Sequence, residues 1–373
     1  MPVTKENLIP IQREDRFQVS LEPAFNIFSS LTLLIKAGNV SGFNEWVYRT
    51  LANMSDQLKW NHRLAFEGLH YALVPDRSFP SFPDYIRHIA ALDPLILRDK
   101  LFDTYLRIDY RQMDVCHCFK DTPDEMDPEN VLGSADEYIT FLEDRFGPGQ
   151  ADMELEKEAY KLVSNPPSMQ KFAVAHLWRI WDEVMAEEWE RVKPMLNGAV
   201  QAFQSLDLQG KSSLEAAKLV LDIDLENGQE KLRTKLENAQ KITFIPSAHI
   251  GPYQNDFGLG GTKWLVFGVR LPSSVHTAPP ELKRTEMLVR LNALADETRL
   301  KILQLIAAAG AMTSSEIMTH LDLSQSAASR HLMQLSATGY LTENRVQGAK
   351  QYSLNPQRIE ETLQAISAFL LNK

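Results

Sequence analysis

The stretch that most constrains this chain is residues 291–354, LNALADETRLKILQLIAAAGAMTSSEIMTHLDLSQSAASRHLMQLSATGYLTENRVQGAKQYSL. It holds three short helical patterns with start signals between them. Two alternating segments around a glycine-containing turn follow, so the order is helix, helix, helix, hairpin. Asp296 can cap a helix whose apolar face is Leu300, Leu303 and Ile306, and Gly310 closes it, since glycine takes the left-handed end conformation without steric cost. Thr313 and Glu316 have capping-box spacing ahead of an inner stripe of Ile317 and Leu321. Ser324 caps the third helix. With Ala328, Leu332 and Leu335 as its buried face, steps of about 100° per residue turn Ser326, Arg330 and, more obliquely, Ser329 outward.

This order predicts a winged helix-turn-helix, and the outward face of its third helix suits a DNA major groove. Serine and glutamine bond phosphates or base edges, and an arginine can fork onto guanine. Gln325 sits where the free N–H groups and the helix dipole favour a phosphate oxygen. The strands Leu341–Val346 and 350–354 flank Gln347, Gly348 and Ala349, a wing from which Arg345 and Lys350 can reach the backbone or minor groove. The expected DNA-binding residues are therefore Ser324, Gln325, Ser326, Ser329, Arg330, Arg345 and Lys350.

Three of these segments resemble the ArsR-type bacterial winged-helix repressors: ALADETRL at 293–300, LSQSAASRHL at 323–332, and Gly339-Tyr340-Leu341 leading into the wing. The resemblance covers the last quarter of the chain. It implies a homodimer joined through the first and last helices of the winged domain, with binding to double-stranded DNA switched by a ligand or partner. The long helical stretch ahead of it looks like that of a larger subgroup of such regulators. Metal sensors of the family carry cysteines on the second winged-domain helix or Asp/His pairs on the last. Here the second has no cysteine and the last has Glu360 and Glu361 but no histidine, so no metal or cofactor is expected there.

With 373 residues, 44% of them hydrophobic, the chain is long enough for two or three domains with their own cores. The net charge of −10 argues at first against nucleic acid, but residues 281–373 carry 10 Lys and Arg against 9 Asp and Glu, so the excess acid lies upstream. Exposed charges are screened beyond roughly 8 Å at physiological salt. The N-terminus lacks a basic start followed by an apolar core, and no apolar run approaches bilayer length, so no membrane contact and a cytoplasmic location are expected. Two cysteines fit a reducing compartment.

Upstream, residues 16–22 alternate as a short strand, and helical patterns follow: from Pro23 to a stop at Gly38, from Ser41, from Ser55, from Asp93-Pro94, from Ser134, and a long one over 169–192. Segments 241–250 and 262–271 are β-rich and predict a hairpin with a long loop, able to accept the first strand. The Ser- and Pro-rich 273–280 reads as a linker. The expected fold is mainly α with small β elements. It has a helical sensory or regulatory domain, 1–272, ending in a β-hairpin, and a winged helix-turn-helix domain, 281–373, for DNA binding and dimerisation.

Cys116-His117-Cys118 is the one cluster of soft metal ligands, but without a second ligand pair it reads as small buried side chains. Gly258-x-Gly260-Gly261-Thr262-Lys263 imitates a phosphate loop yet leads into a strand where such loops open a helix. His62, His70, His176 and His249 have no visible partners, no catalytic signature appears, and no enzyme activity is expected. Trp178 and Trp181, with Trp189, offer an aromatic face that fits either a core or an effector pocket. The favoured reading is a dimeric, sequence-specific repressor controlled by an unknown ligand or partner at the N-terminal domain. The alternatives are a catalytic N-terminal domain autoregulated by its winged helix, and a winged helix that binds protein without DNA.

Overall fold

The computed structural model describes residues 16–113, 119–120, 122–204, 206–222, 230–237, 239–258, 261–270, 272, 280–346 and 349–371. The N-terminal body is built around the helix Pro23–Lys36, whose residues 24–34 are all buried. A helix apolar all round can only be a central one. Most of its polar groups are satisfied internally: Ser30 and Thr32 donate to the Asn26 and Phe28 carbonyls, and Asn26 donates to the Pro246 carbonyl at 2.7 Å, while the Ser29 hydroxyl has no partner among the described residues. Around it lie shorter helices, among them Asp56–Arg63, Phe82–Ala91, Pro94–Tyr105 and Ala135–Phe146. Each of these four starts at a Ser or Asp cap with its side chain on a first-turn N–H. The expected 169–192 helix runs further, over 166–204, with a π-turn at Trp181–Met185 in its middle.

The small sheet differs from the expected hairpin. Strands β1 (Phe17–Val19), β2 (Lys241–Ser247), β3 (Gln254–Phe257) and β4 (Thr262–Gly268) lie in the order β1-β2-β4-β3. β2 runs parallel to both β1 and β4, while the hairpin that ends the N-terminal region is β3 with β4. The reason is burial. Ile242 through Ser247 are buried without a break, the pattern of a strand covered on both faces, as parallel strands usually are. Ile245 and Val266 face the core around the central helix, whereas Phe244, Leu265 and Phe267 face a second cluster with Phe203 and Val220.

The winged unit has a separate core of residues 293–352. It runs through helices Pro280–Leu294, Glu297–Ala309, Ser314–Leu321 and Gln325–Ala337, and ends with helix Pro356–Leu371. Strands β5 (Ala311–Thr313), β6 (Leu341–Val346) and β7 (Ala349–Leu354) form its sheet in the order β5-β7-β6. Asp296 accepts from the Arg299 N–H, and Thr313 and Glu316 close a full capping box. One expected core position is wrong. Leu300 is 46% exposed, and the buried face of its helix is Arg299, Ile302, Leu303 and Ile306. Arg299 takes the place because its guanidinium donates to the Ala293 and Asn292 carbonyls at the preceding helix end.

Candidate nucleic-acid interface and N-terminal cavity

The helix Gln325–Ala337 presents the face its sequence implies. Ala328, Leu332 and Leu335 are buried, and Ser324, Gln325, Ser326, Ser329 and Arg330 are exposed. Ser324 has a second task, since its Oγ accepts from the Ala327 N–H and lies 3.2 Å from Ser326 Oγ. The Arg330 guanidinium has no protein partner among the described residues. In the wing, Lys350 is exposed but pairs with Glu343 at 2.7 Å, so a phosphate must compete for it. Arg345 lies opposite Lys350 in the β6–β7 register, and its side chain lies outside the described part.

The back of the same helix is held by the N-terminal body. Gln334, 1% exposed, accepts from Ser41 Oγ at 2.8 Å, and Tyr253 donates to the Ser41 carbonyl. Ser41 therefore does not start the helix expected there. That role belongs to Asn44, which accepts from Trp46 N–H. Gly42 and Gly251 pack so closely that a Cβ at 251 would stand 2.1 Å from the Gly42 oxygen, and one at 42 would meet Gln334 Nε2 at 2.8 Å. Both glycines have positive φ, so backbone geometry and close approach exclude a side chain together. A second contact joins Arg358 of the last helix to the Asp222 carboxylate at 3.0 Å.

The N-terminal body also contains a half-open cavity of about 830 Å³. Its walls come from the end of helix Pro23–Lys36, the π-turn Leu64–Gly68, helix Pro94–Tyr105 and strands β3 and β4. The π-turn is pinned where Gly68 meets Ala159, 2.9 Å from where a Cβ would stand, and where Tyr105 donates to the Gly68 carbonyl at 3.3 Å. Such wide turns concentrate at functional sites. The apolar wall includes Tyr71, stacked on Phe146, and Trp264, stacked on Phe25 at 4.6 Å.

The polar wall is unusual. Desolvation by the surrounding walls lowers the pKa of Lys100, which is half-buried, and of Lys36, whose side chain still reaches solvent, with Asp76 and Asp256 respectively opposing. Burial, and then the charge of Lys36, hold His70 down at about 4, so it is neutral at pH 7. Tyr71 is pushed up to about 12 by burial. Burial, aided by Glu67 and Asp152, raises Glu156 to about 7, and its buried Oε2 has no partner among the described residues.

Trp178 and Trp181 do not line this cavity. They are half-buried against the main core, Trp181 beside Phe82, and the cavity's tryptophan is Trp264. The histidines do have partners. His62 Nδ1 lies 3.2 Å from His176 Nε2, and burial depresses both to about 4 and about 3. Ser30, His249 and Glu188 form a hydrogen-bonded row at 2.8 and 2.7 Å, but all three are core residues and none lines the cavity. Among the described residues no group of three His, Cys, Asp or Glu could hold a metal, and no helix is long and apolar enough to cross a membrane. Cys116, His117 and Cys118, most of 273–280 and Gly260 lie outside the described residues.

Residues 296–343 match the model of the bacterial regulatory proteins of the arsR family. The chain is also similar to the arsenic resistance transcriptional regulator ArsR2 of Pseudomonas putida, at 39% identity over 85 residues, covering 21% of this chain and 74% of the relative. No solved structure matches the chain.

Proposed function

Because the chain belongs to the arsR family of bacterial regulatory proteins, we propose that this DNA-binding transcription regulator is a cytoplasmic homodimeric repressor whose hold on its operator is set by a small molecule bound within residues 1–272. Residues 281–373 then bind double-stranded DNA and dimerise, joined through the 273–280 linker. The observation that carries the regulatory part is the Ser41–Gln334 hydrogen bond. It ties the N-terminal body directly to the helix whose opposite face offers Gln325, Ser326, Ser329 and Arg330 to a groove.

Dimerisation draws on apolar surface that one chain leaves open. Leu288 is 50% exposed on the first winged-domain helix, and Leu363 57% and Phe369 46% on the last. The relative's name ties that protein to arsenic. In this chain the helix Ser314–Leu321 has no cysteine and Pro356–Leu371 no histidine, so the effector site is assigned to the N-terminal cavity.

Selecting bound duplexes from random DNA with the full chain tests this. Inverted half-sites about one helical turn, roughly 10–10.5 bp, or a multiple apart are the expected result. Binding without sequence preference would refute it. The alternative of a catalytic N-terminal domain autoregulated by its winged helix draws on Glu156, whose pKa of about 7 suits a general acid or base. Turnover of a small molecule retained by the purified protein would favour that reading.

A further inference from the structure

We infer that the N-terminal cavity binds an organic acid with a flat aromatic body, its acid group held by Lys36 and Lys100 and its rings against Trp264 and Tyr71. The binding stands on the cavity alone. Only its consequence for DNA rests on the proposed function.

Size comes first. A cavity of about 830 Å³ lies at the upper end of ordinary ligand pockets, roughly 300–1,000 Å³. The rings of Tyr71, Phe146 and Trp264 line it and give a flat ligand faces to lie against, which a shapeless apolar void would not.

Charge decides the class. Three of the lining carboxylates are already engaged: Glu67 with Arg63 at 2.8 Å, Asp103 with Arg107 at 3.0 Å and Asp256 with Lys235 at 2.8 Å. Glu156 is pushed towards neutrality, and Asp76 is exposed. Among the described residues Lys36 has no hydrogen bond or ion pair, and Lys100 donates only to the Val74 carbonyl. Lys36, His70 and Lys100 all line the cavity, and the charges of both lysines lower the pKa of His70. Lys36 is exposed and Lys100 half-buried on the cavity wall, and the charges acting on them, Asp256 and Asp76, form no ion pair with either, so a bound anion can pair with both ammonium groups. Lys36 is also in the last turn of its helix, where the negative end of the dipole favours a cation.

Elsewhere on the wall, the charges of Glu67 and Asp152 add to burial in raising Glu156. Its unpartnered Oε2 gives a hydroxyl or carbonyl of the same ligand a hydrogen-bonding site. An aromatic cation is disfavoured, because it would meet two ammonium groups and find the nearby carboxylates paired.

The test uses two fluorescent probes of similar shape: 1-anilinonaphthalene-8-sulfonate, an aromatic anion, and uncharged N-phenyl-1-naphthylamine. The intact full-length protein should bind the anion at one site per chain and more tightly than the neutral probe. Lys36→Met removes no bond among the described residues. It should weaken the anion about tenfold or more, as expected for one charge-assisted hydrogen bond, while leaving the neutral probe within about twofold. Lys100→Met should act in the same sense, and Trp264→Leu should weaken both probes alike.

Equal affinity of the two probes for the parent protein, or a Lys36→Met variant that binds the anion as the parent does, would overturn the inference. Unchanged binding of both probes to Trp264→Leu would do the same. The titrations need no DNA. Intact probe binding in a protein that selects no operator would therefore count against the proposed function only.

Discussion

Replacing Glu156 by glutamine is expected to stabilise the protein strongly above neutral pH and only weakly in mild acid. Burial, and then the charges of Glu67 and Asp152, raise this carboxyl from 4.5 to about 7. Below pH 4.5 it is protonated in both folded and unfolded chains, and its contribution to stability is fully present. As pH rises the unfolded chain releases its proton first, so stability falls until the folded group has also ionised, just above 7. Each tenfold change in acidity is worth about 1.4 kcal/mol, which gives ~3 kcal/mol for the whole rise. Partial access to water through the cavity reduces this to about 2 kcal/mol. Glutamine mimics the neutral acid at every pH, so the gain should be about 0.5 kcal/mol at pH 5 and about 2 kcal/mol at pH 8. Urea unfolding followed by tryptophan fluorescence reads the difference. An equal gain at both pH values would mean that packing and not ionisation is responsible, and a loss at pH 8 would refute the assignment.

At the DNA face, Arg330→Ala should cost about 1–3 kcal/mol on the selected operator and relax preference at one position per half-site, read by anisotropy titration. Lys350→Ala should weaken all sequences alike and lower the salt slope by about one for each phosphate it no longer neutralises. For the dimer, Leu363→Glu in the full chain should shift micromolar sedimentation towards the monomer; an unchanged dimer would move the interface elsewhere. Gly251→Ala, which drives a methyl group against the Gly42 oxygen, should displace the Ser41 segment. Operator affinity should then respond less to a bound effector, and an unaltered response would show that the Ser41–Gln334 hydrogen bond carries no coupling.

The winged unit is legible in the sequence because its signals are local. Asp296, Thr313 with Glu316, Ser324 and Gly310 act within one turn of their own positions, and spacing alone assigns them. Leu300 escapes because a hydrophobic pattern cannot foresee an arginine buried by carbonyls of the preceding helix. The cavity is not legible. Lys36, His70, Lys100, Glu156 and Trp264 stand on five different elements, each reading separately as an ordinary helix or strand position. Nor does any periodicity announce a π-turn, whose extra residue at Leu64–Gly68 resets the faces on either side. The tryptophans at 178, 181 and 189 stand out because their spacing is helical, and that regularity describes packing against the core.

What links cavity to DNA helix is the short reach of two walls. The helix Pro23–Lys36 lines the cavity at its end, and five residues beyond it Ser41 holds Gln334. β3 lines the cavity through Asn255, Asp256 and Phe257, and Tyr253, just before it, donates to the same Ser41. A ligand shifts such an arrangement only by as much as it binds the two states differently. A single neutral hydrogen bond contributes about 0.5–1.5 kcal/mol, and the proposed two-fold dimer would hold two. Releasing both would change operator affinity by about 1–3 kcal/mol, roughly 5–150-fold, which spans the usual range of allosteric coupling. The two Ser41 hydrogen bonds are therefore sufficient in size, provided the occupant stabilises one placement of the Lys36 end and β3 over the other. An acid group drawing on Lys36 acts directly at one of these two walls.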